Sequence, residues 1–319
     1  MYRGQRLARM LEAKIESDEY LFSIDRRYWY EVERTKLSSD VQSAFFPSAY
    51  DSETEAFLDA SREVSNNICL QIYYSLATSL LSFLLTKTSI NGILGRGGMF
   101  VFSKNQIKNF LQLPDEWISS DKRVLDLGAG DGDVSQVLSH FYKNVYATET
   151  SQVMQWRLKQ HGFNILDIEK WKETGPYELI SVLNLLDRHY NPQKLLKELF
   201  ELSSRSNCMV LLAIVLPVSQ YVEFNLKNAS NTYPDNWLPI SGTTFEEQIN
   251  SIVHDVFEPS NFEVVRWTKL PYLCEGDSVR AYYKLDDAIF LLKPRKTSDQ
   301  VQYSENLESQ HVHHEHDTL

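Results

Sequence analysis

From Arg123 onward the chain alternates short apolar runs with longer stretches of helical periodicity. The runs are Val124–Leu127, Val145–Thr148, Asn164–Leu166, Leu179–Leu183, Met209–Val215, Glu263–Trp267 and Ala288–Leu292. Short runs of this kind, rich in Val, Ile and Leu, read as buried strands. Between them lie segments such as PQKLLKELFELS, where Leu and Phe return every three or four positions, as on one face of a helix. Strands alternating with helices build a mostly parallel sheet covered on both faces. Seven strands within roughly 170 residues predict one α/β, doubly wound, Rossmann-like domain over residues 119–294.

Residues 1–118 read as a helical N-terminal extension. The first 60 or so are charged and aromatic, with a break at FFPSAYDS. Val64 to Thr86 carries no charge, and its apolar positions are interrupted by Gln71, Ser75, Ser79, Ser82 and Thr86. A spanning helix needs about 20 mostly apolar residues. The recurring polar stripe predicts instead an amphipathic helix buried in a soluble fold, with no stable membrane insertion. TSINGILGRGGMFVFS follows as a glycine-rich loop from Gly92 to Gly98, and KNQIKNFLQL as a helix stopped near Pro114. Residues 295–319, polar and rich in histidine, predict a disordered tail.

Composition changes this picture little. The formal net charge of -11 weighs against a general binder of phosphate backbones, so no nucleic-acid partner is expected. Cys69, Cys208 and Cys274 lie far apart and make no metal-type spacing, which suits reduced thiols and no metal site. The first 20 residues hold no apolar core of signal-peptide length, and the expected location is cytoplasmic. Oligomeric state is not readable.

Chemistry concentrates in RVLDLGAGDGDV, residues 123–134. A glycine-rich turn after a first strand brings backbone N–H groups to a helix start. In the dinucleotide pattern G-x-G-x-x-G the third glycine would fall on Asp133. The spacing is G-x-G-x-G, Gly128, Gly130 and Gly132, preceded by Asp126. Acids at 126, 131 and 133 repel a pyrophosphate and suit a ligand with a positive charge and an ammonium group, as in S-adenosylmethionine (SAM). The second strand ends at Glu149, 23 residues after Asp126, where a carboxylate accepts from both ribose hydroxyls. This pattern resembles the class I SAM-dependent methyltransferases, which place an acid or amide near the adenine after the third strand; here Asp167 and Glu169 stand there, and they are equally well solvated loop acids.

The acceptor position of such a fold is the end of the fourth strand, here ISVLNLLDRHY. The Asn/Asp-Pro-Pro-aromatic signature of exocyclic base amine methylation is absent, leaving Asn184 and Asp187. An amide and a carboxylate there can hold a neutral N–H acceptor such as imidazole. The partner of one ring N–H then decides which nitrogen carries the lone pair. On the residues alone Asp187 is equally a helix cap ahead of RHYNPQKLL.

TSINGILGRGGMFVFS, LDLGAGDG, YATE, LNLLDR, LPYLCEGD and YYKLDDAIFLLKP resemble the methyltransferase-like protein 9, or DREV, family, over about residues 65–294. The resemblance implies a class I SAM-dependent methyltransferase. It further implies an enzyme that modifies the pros nitrogen (Nδ1) of histidine in His-x-His sequences of protein substrates, x being small. It implies that Asp126, Gly128 and Glu149, with Gly130 and Asp167, bind SAM. It also implies that Asn184, Asp187 and Tyr283 hold the substrate histidines and that Arg96 closes over the site. By itself, Tyr283 beside Tyr282 reads equally as packing. The resemblance also implies endomembrane or mitochondrial association as an alternative to the cytoplasm, and the expectation that the hydrophobic N-terminal segment of animal members is lacking weighs against an endomembrane location. The tail adds His311-Val-His313 and His314-Glu-His316, whose possible roles are self-methylation, metal capture or none. Alternatives are a methyltransferase of another nitrogen or a small molecule, a non-catalytic SAM-binding protein, and an NAD enzyme.

Overall fold

A computed structural model of the chain describes residues 2–83, 85–119, 121–222 and 231–295. The predicted tail, with His311, His313, His314 and His316, therefore lies outside the described residues apart from Arg295. The strands are β1 (Met99–Phe100), β2 (Arg123–Leu127), β3 (Asn144–Thr148), β4 (Asn164–Ile165), β5 (Leu179–Leu183), β6 (Met209–Leu216), β7 (Phe262–Glu275) and β8 (Tyr282–Pro294). They form one sheet in the order β1-β7-β8-β6-β5-β2-β3-β4. β4, β3, β2, β5 and β6 run parallel, and β8, β7 and β1 are antiparallel additions at one side.

All seven predicted strands are present. The last two are longer than their apolar runs predict: Glu263–Trp267 and Ala288–Leu292 lie within a hairpin with arms of 14 and 13 residues. Their outer halves, TKLPYLCE and YYKLDD, mix charged and polar residues into the apolar pattern, although residues 270–273 are all buried. The eighth strand, β1, is two residues long and pairs with Leu273 and Cys274, too short for any periodicity.

The helices are α1 (Tyr2–Ser23), α2 (Ser39–Ser43), α3 (Ser52–Asn66), α4 (Ile68–Leu81), α5 (Lys87–Leu94), α6 (Lys104–Leu111), α7 (Asp133–Leu138), α8 (Gln152–Gln160), α9 (Pro192–Ser206) and α10 (Phe245–Ser251). α9 fills one face of the sheet through Leu195, Leu196, Leu199 and Leu202. On the other face Leu58, Ile107 and Phe110 of the N-terminal segment pack with Val124, Val145 and Ile289. The extension thus shares the core of the sheet. Trp267 on β7, fully buried, donates Nε1–H to the Val41 carbonyl at 2.7 Å, and Phe45 bridges to its backbone.

Three expectations are corrected in this region. The uncharged stretch is not one helix. Asn67 ends α3 and accepts from the Leu70 N–H at 3.0 Å to start α4. Nor is α4 buried: Tyr74 is its only buried residue, while Ile68, Ile72, Tyr73, Leu76 and Leu80 are exposed. Gln71, read as part of the solvent stripe, turns inward and donates to the Val64 carbonyl at 2.9 Å. The stripe of partly covered positions runs Leu70, Gln71, Tyr74, Ala77, Thr78 and Leu81, so the protein covers a narrow line and leaves the aliphatic side open. Among the described residues no helix is long and apolar enough to cross a membrane. The predicted glycine loop is also half helix, since Gly92 lies inside α5 and the loop begins at Gly95.

Leu80 is 72% exposed and Leu58 is 0% exposed. Urea denaturation of Leu80→Gln is therefore expected within about 0.5 kcal/mol of the parent chain, against about 2–5 kcal/mol lost in Leu58→Ala. Comparable losses in the two variants would mean that α4 is covered.

Candidate active site at the carboxyl end of the sheet

In an open α/β sheet ligands bind beyond the carboxyl ends of the parallel strands. β2 ends in Leu127, and the glycine turn follows. Gly128, Gly130 and Gly132 all have positive φ, at 71°, 59° and 91°. At Gly128 an added Cβ would come within 3.0 Å of Leu185, and at Gly132 within 2.8 Å of Leu158. At Gly130 it would meet nothing within 4 Å. The turn is packed on both flanks and open at its middle, where a ligand can approach the backbone.

The turn's N–H groups are not free, contrary to the sequence expectation. Gly128 and Ala129 donate to the Thr148 carbonyl at 3.1 and 3.0 Å, and Gly130 donates to Glu149 Oε2 at 3.1 Å. This last bond places the Glu149 carboxylate directly beside the opening over Gly130. Glu149 Oε1 accepts from the Ser151 N–H at 2.7 Å, and burial raises the Glu149 pKa.

Asp126 is buried under the turn. Its oxygens accept from Ser135 at the start of α7 and from Ser181 on β5, the latter at 2.7 Å. Burial pushes its carboxyl up to about 6, against the lowering effect of the two serines. Its hydrogen-bond partners among the described residues are thus protein groups, and it supports the turn from below. Asp131 and Asp133 stand above: Asp131 accepts from the Asp133 N–H at 3.2 Å, and burial raises its pKa. Asp167 is exposed, and its carboxylate accepts from the Glu169 N–H at 2.8 Å, closing its own turn after β4.

The loop after α5 covers the turn. α5 docks on α8 so closely that a Cβ at Gly92 would lie 2.9 Å from Met154 Sδ. Gly98 then passes between Asp133 and Glu275, each 3.7 Å from its would-be Cβ. Gly97 N–H donates to Glu275 Oε1 at 3.2 Å, so two of the family-like stretches meet here. Arg96 turns to α4, 3.5 Å from Thr78 Oγ1 and with Cζ 5.4 Å from the centre of the Tyr74 ring. Each residue of the Glu-Gly-Asp end of LPYLCEGD has a structural task. Glu275 holds the loop, and a Cβ at Gly276 would overlap the Ala281 carbonyl at 2.1 Å. Asp277 accepts from the Val279 N–H at 2.8 Å and from the Tyr283 hydroxyl at 3.0 Å.

Beyond β5, Asn184 takes a left-handed conformation, φ 55°, its N–H held by the Ala213 carbonyl at 3.0 Å. Its Nδ2 donates to Asp287 Oδ2 at 2.9 Å. Asp187, in the 3-10 turn Leu186–Arg188, is buried and acts electrostatically on Asp287. Asn184 and Asp187 are therefore brought together, around an acid that sequence reasoning missed. Asp287 lies on β8 opposite Val215 and Leu270, and is 0% exposed. Its only signal was a pair of acids entering an apolar run, LDDAIFLL. Tyr283 shares the face of β8 with Asp287 but stands four residues away, about 13 Å along the strand, and is partly exposed. It is not in the Asn184–Asp187 cluster.

The openness over Gly130, with Glu149 beside it, fits a nucleoside whose ribose reaches that carboxylate. Gly130→Ala is expected to cost about 1 kcal/mol in stability from its positive φ, while weakening SAM binding about ten-fold or more by calorimetry. Unchanged affinity would remove the turn from the donor site.

Solved structures to which the chain is similar include a putative RNA methyltransferase from Pyrococcus horikoshii, at 14% identity over 60% of this chain and 85% of that one, TM-score 0.38. Another is a putative type 11 methyltransferase from Sulfolobus solfataricus, at 14% identity over 60% and 94%, TM-score 0.35. A third is the N-terminal domain of EvdMO1 with SAH bound, at 14% identity over 67% and 84%, TM-score 0.33. The DREV methyltransferase family matches residues 29–294, which include the glycine turn, Glu149, Asn184 and the whole β7–β8 hairpin. With that match, the chain belongs to the DREV methyltransferase family and uses SAM as its methyl donor.

Proposed function

We propose that the protein methylates the pros nitrogen (Nδ1) of histidine within His-x-His segments of protein substrates. The observation that carries this reading is a pair of buried, unpaired acceptor atoms, one just beyond β5 and one on β8. Asn184 Oδ1 and Asp287 Oδ1 are buried and have no hydrogen-bond partner among the described residues. A buried acceptor left unpaired costs about 1–3 kcal/mol, so the pocket calls for a donor. Neutral imidazole brings one N–H and, on its other nitrogen, a lone pair.

Inserted tip first, a histidine ring would offer its Nε2–H to these acceptors and keep Nδ1, nearer the main chain, for the methyl group. Bound SAM would supply an activated methyl on a sulfonium, so positioning matters more than strong base catalysis. The Asp187 and Asp287 carboxyl groups also favour the cation that the ring becomes. A second histidine two residues away projects to the same side of an extended peptide. The stretch of β8 between Asp287 and Tyr283 offers it a place. These points support the histidine reading over a small-molecule acceptor, which needs no second subsite.

Transfer of labelled methyl from SAM to a His-Ala-His peptide, with a His-Ala-Ala control, tests this reading. Label is expected on the first peptide alone. Label on neither, with small amines turned over instead, would give the reading to another nitrogen acceptor. Asp187→Ala is expected to slow transfer about 100-fold or more with SAM affinity unchanged. A parallel loss of SAM affinity would move Asp187 out of the acceptor pocket.

A further inference from the structure

β8 carries two adjacent acids with opposite surroundings. Asp286 faces Lys284 and Lys269, at 2.7 and 3.5 Å, in ordinary ion pairs. Asp287 points to the other side, fully buried, where its hydrogen-bonded side-chain partner is a neutral amide, Asn184 Nδ2. The groups facing it are Asp187 and Arg188 from the turn after β5 and Tyr272 from β7. Tyr272 directs its hydroxyl to Met99 Sδ at 2.5 Å, and Arg188 reaches the Tyr221 hydroxyl. Asp187 adds repulsion. The backbone of Asn184 is fixed by its φ of 55° and by its bond to Ala213, so its amide can respond only by turning about its own axis.

A carboxylate only accepts hydrogen bonds, whereas a carboxylic acid can also donate one. Ionised Asp287 takes an N–H of the Asn184 amide, which leaves Asn184 Oδ1 toward the pocket. Protonated Asp287 can donate to that oxygen, and the amide then shows its NH2 to the pocket. An incoming imidazole N–H would meet an acceptor in the first state and a second donor in the second.

Resting on the acceptor reading above, we propose that Asp287 is a positioning residue that sets, through its protonation state, which end of the Asn184 amide faces the acceptor histidine. Burial, with the Asp187 charge adding to it and Asn184 opposing it, pushes Asp287 up to about 8. The unliganded protein therefore holds much of Asp287 protonated near neutrality. Binding of a donor N–H favours the ionised form. The kcat/KM profile, which reports free enzyme, then shows the Asp287 limb, while the limb in kcat shifts to lower pH.

The test uses the full chain and its Asp287→Asn variant with a His-Ala-His peptide between pH 6.5 and 8.5. For the parent, kcat/KM is expected to rise about ten-fold or more, of which ionisation of the substrate imidazole supplies about two-fold. In Asp287→Asn only the two-fold part is expected to remain. A loss by one constant factor at every pH would mean a merely structural role and overturn the proposal.

A second readout needs no turnover. The folded acid holds its proton above the unfolded value of about 3.9, so the folded state binds more protons in the window up to about 8. Stability of the parent therefore falls as pH rises through that window, and Asp287→Asn lacks this loss. The Tm advantage of the variant is expected to grow from pH 5 to 8 and then level off. A gap that does not change with pH overturns the switch. If the parent labels no peptide while the gap grows, the histidine reading fails and the switch stands. If the gap is flat as well, both fail.

Discussion

Asp126 lies at the end of β2 with 2% of its surface exposed, and its oxygens are held by Ser135 on α7 and Ser181 on β5. A carboxylate at that depth is costly unless it is hydrogen-bonded. Once bonded, it ties two neighbouring strands to the helix that follows the turn. The turn above it can then keep three left-handed glycines in register, with Gly130 open and Glu149 bonded to its N–H. Without that anchor α7 would lose the side-chain link through Asp126 to β5. The opening over Gly130 would lose its floor.

A similar constraint joins the residues of the proposed acceptor pocket. Asp287 on β8 and Asn184 after β5 are joined across β6, which lies between their strands. The hairpin that carries Asp287 is held by the N-terminal helices. Asp18 of α1 accepts from the Ala281 N–H at 2.8 Å, and Ser61 and Ser65 of α3 donate to the Ala281 and Asp277 carbonyls at 2.9 and 2.6 Å. The segment ahead of the sheet thus supports the site at its hairpin. It also supplies, through Gly97 and Gly98, the loop that meets Glu275 and covers the turn.

Much of this was legible in the sequence where the signal is local. The buried central strands read as uninterrupted apolar runs, and the glycine turn, Glu149, Asn184 and Asp187 follow from their spacing to strand ends. What was not legible depends on which side of an element meets the protein. Asp286 and Asp287 are chemically identical neighbours, and only the in-out alternation of β8 makes one a surface partner of lysines and the other a buried acid. The same ambiguity inverted α4, whose polar Gln71 turned inward while Leu76 and Leu80 faced out. The position of Asp126 could not reveal the two serines, nine and 55 residues away, that engage it. The resemblance groups Tyr283 with Asn184, and strand geometry sets it four residues along β8 from Asp287, the partner of Asn184.

The proposed donor floor and the proposed acceptor amide together make the central claim that one pocket aligns a histidine with the methyl donor. The most direct test is a crystal structure of the protein with S-adenosylhomocysteine and a His-Ala-His peptide. The account predicts the ribose against Glu149 and one imidazole N–H bonded to Asn184 Oδ1, with Nδ1 of that ring toward the donor. An imidazole bound away from Asn184 and Asp287, or a ring turned so that Nε2 faces the donor, would contradict it.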